Sequence, residues 1–238
     1  MKKSLIVKSK KVLASLYYFV INIIANFLIR ISKFVANQYK TVWPYLNTSW
    51  FDHRFDYLRG MENYFWYERV IFANQRIKLN SEVLDIGCGD GVYSGLFYSR
   101  KAKNIDAIDI DKNAIKHAKK NYFRKNVNFY NSNIQDWLKH QNKYDIILMF
   151  AVIEHFSFKN GILVLKKISS SLKKGGIFFG STPIFKKKGD HNFEHKNEFA
   201  SQRELYRFLN KVFSKVDLFI SEWPDGRKEC YFECSLPR

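Results

Sequence analysis

The segment Val83-Leu-Asp-Ile-Gly-Cys-Gly-Asp-Gly91 decides the fold class of this 238-residue chain. A short apolar run typical of a buried strand leads into three glycines at alternate positions. Glycine lets the backbone turn sharply and approach a ligand closely, because it carries no Cβ. A helix that begins after such a turn points its positive backbone groups toward the ligand. The segment therefore predicts a strand, a ligand-binding turn and a helix, in that order.

The spacing of the glycines and one later acid indicate the type of ligand. A dinucleotide-binding turn usually reads G-x-G-x-x-G, and here Val92 stands where the third glycine belongs. Asp109 follows Gly89 by 20 residues and ends the next apolar run. A carboxylate there can accept hydrogen bonds from both hydroxyls of an adenosine ribose. These features predict an adenosine cofactor without choosing which one. Asp111 is interpreted as the N-cap of the following helix.

Apolar runs and helical patterns alternate from residue 82 onward. Strands are predicted at Glu82–Ile86, Asn104–Ile110, Val127–Tyr130, Tyr144–Phe150, Ile177–Ser181, Lys215–Ile220 and Glu229–Ser235. Helices are predicted at Gly91–Arg100, Asn113–Asn121, Ile134–His140, Lys159–Leu172 and Ser201–Val212. Such alternation predicts an α/β fold with a mostly parallel sheet covered by helices on both faces. The turn before the last run predicts a closing antiparallel hairpin.

Four stretches in this order resemble the class I S-adenosylmethionine-dependent methyltransferases: VLDIGCGDGVYS, AIDIDKNAIKHAKK, YDIILMFAVIEHF and LKKISSSLKKGGIFFGSTP. The resemblance covers residues 65–220. It implies a Rossmann-like, seven-stranded, mostly parallel sheet with an antiparallel C-terminal hairpin. It also implies S-adenosylmethionine as the cofactor and methyl transfer as the reaction.

The resemblance further implies which residues bind the cofactor. The residues that match the family's cofactor site are Asp85, Gly87, Cys88, Gly89, Asp109, Ile110, Asn133, Ile134, Phe150 and Ala151. The first four would line the methionine and ribose portion, and Asp109 would bind the ribose. Ile110, Asn133 and Ile134 would surround the adenine. Asn133 stands where the family often has Asp, and its amide keeps a hydrogen-bond acceptor. Phe150 and Ala151 would face the methyl-bearing end.

The pair Glu154-His155 resembles the Glu-His that follows the fourth strand in many small-molecule methyltransferases. A hydroxyl acceptor benefits from a general base, and either side chain can serve as one. The alternative is that both residues only cap the adjoining turn. In ubiquinone-pathway O-methyltransferases an extra Glu lies three positions earlier and the cluster holds a metal. Ala151 occupies that position here, so no metal is predicted.

The segment Gly189-Asp-His-Asn-Phe-Glu-His195 follows the fifth strand, where the family places substrate-binding loops. Two histidines four residues apart, with acids nearby, have the spacing of a metal-binding pair. The alternative is a polar loop that reaches over the acceptor site. His191 and His195 are therefore candidates for contact with the acceptor.

The N-terminal segment carries a large share of the positive charge. The chain has 40 Lys and Arg against 22 Asp and Glu, a formal net charge of +18. No acidic residue precedes Asp52, whereas the first 40 residues contain eight basic ones. Such an excess predicts an anionic partner, either a membrane surface, a phosphorylated substrate or nucleic acid.

Residues 12–35 are mostly apolar, and polar residues interrupt them at helical spacing. The polar residues fall in a stripe about 100° wide, and they are Lys8, Lys11, Ser15, Asn22, Asn26, Arg30, Lys33 and Asn37. A signal peptide is disfavoured because no small-x-small cleavage site follows. A membrane span fits the length, but it would place the N-terminal lysines outside, against the positive-inside tendency. A helix lying in the cytosolic membrane interface satisfies both constraints. The alternative is a helix packed against protein.

The chain is thus divided into a basic amphipathic helix (residues 1–40), an aromatic-rich helical cap or linker (41–80) and a methyltransferase domain (81–238). We expect a cytoplasmic enzyme, peripheral on the inner face of the membrane, that O-methylates a small molecule, a sugar or a lipid-linked acceptor. Weak similarity to methyltransferases of surface-polysaccharide clusters supports the acceptor class. An RNA methyltransferase and a non-catalytic cofactor-binding scaffold are the alternatives. Nucleic acid is disfavoured because no RNA-binding module is visible.

Overall fold

The structure, a computed structural model, describes residues 2–46, 50–58, 64–137, 144–185, 195–223 and 226–237, without the side chains of residues 2–9, 64 and 65. The chain divides into two compact units, Met1–Asn63 and Tyr64–Arg238. The boundary falls inside the aromatic-rich segment 41–80, so this segment contributes to both units.

The first unit is dominated by one long helix, α1 (Lys2–Val42), followed by a 3-10 turn (Trp43–Tyr45) and the short helix α2 (Arg54–Leu58). The Tyr39 ring stacks on Phe55 with centroids 4.0 Å apart. The Tyr39 hydroxyl accepts a hydrogen bond of 3.0 Å from the backbone N–H of Asp52. These contacts hold the end of α1 against the segment that follows it.

The middle of α1 exposes a broad apolar surface. Large apolar side chains at least 44% exposed between residues 12 and 31 are Val12, Leu13, Leu16, Tyr17, Tyr18, Phe19, Val20, Ile21, Ile23, Ile24, Phe27, Leu28, Ile29 and Ile31. Two residues of the polar stripe bond each other, since the Asn26 amide donates to Asn22 Oδ1 at 3.3 Å. Among the described residues, α1 is the one helix long and apolar enough to cross a membrane, by length and composition alone.

The second unit contains all the strands. Its elements are α3 (Tyr64–Arg76), β1 (Glu82–Ile86), α4 (Val92–Leu96), β2 (Asn104–Asp109), α5 (Lys112–Asn121), β3 (Val127–Asn131), α6 (Ile134–Trp137), β4 (Tyr144–Phe150), α7 (Phe158–Ser171), β5 (Leu172–Ile184), α8 (Gln202–Leu209), β6 (Phe213–Glu222) and β7 (Lys228–Pro237). The seven-stranded sheet has the order β3-β2-β1-β4-β5-β7-β6. Strands β1 to β5 pair in parallel, and β7 pairs antiparallel to both β5 and β6. The predicted fold class and closing hairpin are confirmed.

The core forms because side chains alternate across the strands and recur every three or four residues on the helices. Leu84 and Ile86 of β1 belong to the main buried cluster, together with Ile168 of α7 and Phe208 of α8. Val83, which directly precedes Leu84, is also fully buried, and by the alternation it points to the opposite face of the sheet. The central strands are therefore covered on both faces, as parallel strands require.

The order of the strands places the candidate site. The chain winds outward from β1 to β3 and then returns to β4 on the other side of β1. Ligands of such sheets bind beyond the carboxyl ends of the strands, at this change of direction. The residues that follow β1, β2 and β4 are therefore brought to one edge of the sheet.

Three predicted elements differ from the structure in extent. The helix predicted at Gly91–Arg100 is α4, which ends at Leu96 and is followed by a 3-10 turn (Tyr98–Arg100). The strand predicted at Ile177–Ser181 is part of the longer β5 (Leu172–Ile184), whose pairing with β4 shifts between Leu172 and Ile177 and so contains a bulge. Helix α8 ends at Leu209 because the Asn210 amide donates to Phe213 O at 3.2 Å and the chain turns into β6.

Candidate functional site

The glycine turn after β1 is tied to the neighbouring strand. The backbone N–H groups of Gly87 and Cys88 both donate to Ile108 O, at 2.8 and 3.0 Å. Gly89 has a φ of +52°, in the left-handed region that favours glycine. A Cβ at Gly89 would meet no atom within 4 Å, so the turn leaves open space at this point. The turn is thus a fixed cradle with room for a ligand against its backbone.

Asp109 joins this turn to the next helix. Its Oδ2 accepts from the Gly89 N–H at 2.8 Å, and its Oδ1 accepts from the Asp111 N–H at 2.8 Å. Burial raises the pKa of Asp109, and backbone hydrogen bonds from Asp111, Gly89 and Ile110 oppose that rise. The two oxygens of a carboxylate have about four acceptor positions, so these bonds leave capacity for a ligand. Asp111 caps α5 through the N–H groups of Asn113 and Ala114, as predicted.

The residues predicted around the adenine differ in exposure. Ile110, directly after Asp109, is 73% exposed and offers a bare apolar surface. Asn133 is exposed, and its Oδ1 accepts from the Gln135 N–H at 2.8 Å at the start of α6. Ile134 is only 6% exposed and packs in the main core cluster. Ile134 therefore packs behind the proposed adenine site, inside the core.

Asp85 is a buried acid at the end of β1. Its Oδ2 accepts a hydrogen bond of 2.5 Å from the Ser94 hydroxyl on α4. Burial raises the pKa of Asp85 to about 6, and the charge of Asp109 adds to the rise, whereas the Ser94 hydrogen bond opposes it. Two acids therefore lie beside the glycine turn: Asp85, which is buried, and Asp109, which reaches the edge of the sheet.

The end of β4 forms the next part of this edge. Phe150 is 8% exposed and contacts Phe179 edge-on, with ring centroids 5.8 Å apart. Ala151 has a φ of +52°, and its backbone N–H donates to Ser181 O at 2.9 Å. A non-glycine residue in this conformation costs about 1–3 kcal/mol, and such strain is concentrated at functional sites.

Glu154 lies in the 3-10 turn after β4 (Ile153–His155) and is 1% exposed. Its Oε2 accepts from the Thr182 hydroxyl at 3.0 Å. Burial raises the pKa of Glu154 to about 7. His155 follows at partial exposure. The Glu154 side chain thus connects its turn to β5.

His195 joins this pair from the segment that follows β5. The backbone N–H groups of Lys196 and Asn197 donate to Glu154 O at 2.9 and 3.0 Å. The rings of His155 and His195 meet edge-to-face, with centroids 5.0 Å apart. One ligand atom from each of Glu154, His155 and His195 lies within 4.8 Å of the others, which is close enough to hold a metal ion. His191, the fourth candidate, lies outside the described residues.

Residues 57–216 match a family model described as a methyltransferase domain. The chain belongs to this methyltransferase family. Membership confirms the predicted enzyme class, an S-adenosylmethionine-dependent methyltransferase, and its cofactor at the level of the family. The solved structure of a DhpI–SAH complex has the same fold, with a TM-score of 0.59 at 16% identity over 89% of this chain and 96% of that chain.

Two curated relatives of this methyltransferase differ in the acceptors that their names state. A malonyl-[acyl-carrier protein] O-methyltransferase from Acetivibrio thermocellus is 29% identical over 168 residues, which cover 64% of this chain and 58% of the relative. A ribosomal protein L11 methyltransferase from Ruminiclostridium cellulolyticum is 33% identical over 123 residues, or 50% and 37%. The methyltransferase thus matches little more than half of one relative and about a third of the other.

One cluster beside the site was not predicted from the sequence. Glu229 of β7 is fully buried and accepts from Arg69 Nη2 at 2.7 Å, Arg227 Nη2 at 2.8 Å and the Ser181 hydroxyl at 2.5 Å. Burial alone would raise the pKa of Glu229, but Arg69 and Arg227 bring it below its ordinary value. The sequence feature that could have indicated this cluster is a Glu at the start of an otherwise apolar predicted strand. Ser181 and Thr182 connect this cluster to Glu154, because they are neighbours on β5.

Proposed function

We propose that this methyltransferase transfers a methyl group from S-adenosylmethionine to a hydroxyl of a sugar or lipid-linked acceptor at the cytosolic face of a membrane. The observation that carries the proposal is the buried Glu154 carboxylate beside His155 and His195, at the same sheet edge as the glycine turn and Asp109. A hydroxyl acceptor needs its proton removed, and these side chains are bases within reach of that edge.

The cofactor portion of the proposal keeps the ten residues predicted from the sequence. Asp109, held by backbone hydrogen bonds from Gly89 and Asp111, would bind the ribose hydroxyls, and Ile110 would lie against the adenine. Gly87, Cys88 and Gly89 would pass close to the methionine portion, with Asp85 beneath them. Phe150 and Ala151 would face the methyl group. Asn133 would stay near the adenine, whereas Ile134 would act only by supporting the pocket from the core.

Methyl transfer to a hydroxyl requires that the hydroxyl proton be removed. Bound S-adenosylmethionine would supply the methyl group, and the bond between that carbon and the cofactor sulfur would break as the acceptor oxygen attacks. The hydroxyl proton passes to Glu154 or His155. A positioned base contributes about 10²–10⁴-fold to such a rate. His195 and His191 would contact the acceptor.

The membrane portion of the proposal rests on α1. Its apolar face is exposed over several turns, and its polar stripe carries lysines with no acid among them. A helix of this kind buries its apolar face at the headgroup boundary, and each Lys or Arg near anionic lipid contributes about 1 kcal/mol. The O-methyltransferase relative supports oxygen as the acceptor atom. The ribosomal-protein relative makes a protein acceptor the competing possibility.

The proposed acceptor is tested by comparing cells with and without this gene. Mass spectrometry of extracted lipids and surface glycans is expected to show one species that loses a methyl group in the cells without the gene. Reintroducing the wild-type gene should restore that species. Unchanged lipids and glycans, combined with loss of a methyl group from RNA or a ribosomal protein, would contradict the proposal.

A further inference from the structure

Two backbone hydrogen bonds bring His195 to the Glu154–His155 turn. They run from Lys196 N and Asn197 N to the carbonyl of Glu154, so the position of His195 is fixed by main chain. The three side chains then offer one ligand atom each within 4.8 Å of one another. The sequence prediction of no metal rested on Ala151, which stands where the ubiquinone-pathway enzymes have an extra Glu. The fold brings a third donor for a metal, His195, from the segment that follows β5.

The donor set consists of two imidazoles and one carboxylate. Borderline divalent ions, Zn²⁺ first among them, bind this combination, whereas Mg²⁺ and Ca²⁺ prefer oxygen donors alone. Three protein ligands with a fourth position open to water or substrate is the arrangement of catalytic zinc sites. We propose that Glu154, His155 and His195 bind one Zn²⁺-type ion at the carboxyl end of β4.

The residues behind the three ligands orient them as a metal site requires. His195 Nδ1 lies 3.2 Å from Glu198 Oε1, and the Glu198 side chain is 4% exposed. A carboxylate that accepts a hydrogen bond from one ring N–H leaves the other ring nitrogen to bind the ion. Thr182 fixes one oxygen of Glu154, at 3.0 Å. Both kinds of supporting contact are typical of metal-binding residues.

The charge around Glu154 also favours a cation. Among the described residues no Lys or Arg forms an ion pair with its side chain. Its buried neighbour Glu229 is paired with two arginines. A buried carboxylate without an ion pair is costly, and a divalent ion would reduce that cost. His155 and His195 are both partly exposed.

The role of the ion rests on the proposed function. An acceptor hydroxyl at the open position would have its pKa lowered by the ion, as bound water does at catalytic zinc. With the ion bound, Glu154 and His155 would be its ligands and would no longer act as the base, so the proton would leave to solvent. The oxygen would attack the methyl carbon as the bond between that carbon and the cofactor sulfur breaks. Binding of the ion itself requires neither the acceptor nor the cofactor.

The test is a titration of the untagged full-length protein, freed of metal by a chelator, with ZnCl₂ and CoCl₂. One ion per chain is expected, and bound Co²⁺ should give visible absorption bands. His195→Ala should abolish binding, whereas His195→Cys should retain it because a thiolate also binds these ions. Glu198→Gln should weaken binding by about 10–100-fold. His53→Ala removes an imidazole of the first unit and should leave binding unchanged.

Wild-type protein that binds neither ion would overturn the inference, as would His195→Ala protein that binds as tightly as the wild type. Circular dichroism of each variant verifies that the fold is retained, and the Cys variant tests the site even if the Ala variant unfolds. The outcomes also separate this inference from the proposed function. Methyl transfer into lipid or glycan by metal-free protein would refute the role of the ion and leave the proposed acceptor standing. Metal binding without such transfer would refute the proposed acceptor and leave the metal site standing.

Discussion

Asp109 is the residue on which cofactor binding should depend most, because its two oxygens connect the glycine turn, the next helix and the proposed ribose. Asp109→Ala is expected to weaken S-adenosylmethionine binding by about 1.5–3 kcal/mol for each lost charged hydrogen bond. Isothermal titration calorimetry measures the change. Asp111→Ala is the matched control, since it should cost α5 about 1 kcal/mol as a lost N-cap yet retain cofactor affinity. Full affinity in Asp109→Ala would refute the ribose assignment.

Asp85 should reduce stability at neutral pH. Its folded pKa of about 6 lies above the ordinary 3.8, so the folded protein favours the protonated acid. The resulting cost at neutral pH is about 2–3 kcal/mol. This cost disappears as pH falls through 6 toward 4. Asp85→Asn should therefore unfold at higher urea than the wild type at pH 7, and the difference should shrink toward pH 4. A variant equally destabilised at both pH values would contradict this account.

The same Asp85→Asn protein should bind S-adenosylmethionine more weakly at pH 7, because the cofactor is cationic at its methionine end and the variant lacks the charge. A gain in stability together with a loss of affinity is the signature of an acid retained for binding. Unchanged affinity would remove Asp85 from the cofactor site while leaving the stability argument intact.

Among the elements, the turn between β1 and α4 is the most constrained. Gly91 has a φ of +80°, and a Cβ there would lie 2.6 Å from the Ala118 Cβ and 2.7 Å from the Phe129 ring. Gly175 has a similar φ of +77° with no atom within 4 Å. Gly175→Ala should therefore cost about 1–2 kcal/mol for its backbone alone. Gly91→Ala should cost about 1–3 kcal/mol more because of overpacking. Urea unfolding of both variants measures the difference, and equal losses would contradict the packing at the turn.

Sequence patterns predict elements where local and tertiary preferences agree. β1 and β4 have the predicted bounds, because each is an apolar run bounded by turn residues. Helix α8 begins after Ser201, whose side chain accepts from the Glu204 N–H. The first part of β5 is not recognisable from the sequence, because only the pairing with β4 shows that the strand continues through Gly175.

The site is predictable only in part. The glycine turn and Asp109 are recognisable because their spacing along the chain is set by one strand-turn-helix unit. The ion pair between Arg69 and Glu229 cannot be recognised in the sequence, because 160 residues separate them and the contact depends on β7 lying between β5 and β6. The approach of His195 to Glu154 likewise follows from backbone hydrogen bonds between segments that are distant in sequence.

At the scale of the whole molecule, α1 should bind the protein to anionic membranes. Phe19 and Phe27 are 60% and 62% exposed on the apolar surface. Burying each is worth about 1.5–3 kcal/mol, so Phe19→Asp with Phe27→Asp should abolish co-sedimentation with anionic vesicles. Asn22→Asp adds a charge within the polar stripe and should retain most of the binding. Co-sedimentation should also weaken in high salt. Wild-type protein that stays in the supernatant would contradict the membrane assignment.

The central claim is methyl transfer from S-adenosylmethionine to a lipid or glycan at the membrane. The most direct measurement incubates the full-length protein with methyl-labelled S-adenosylmethionine and a membrane extract from cells that lack the gene, and then separates lipid, glycan, protein and RNA. The account predicts label in the lipid or glycan fraction with wild-type protein, and loss of that label with Asp109→Ala. Label confined to RNA or protein, or no transfer by protein that binds the cofactor, would contradict it.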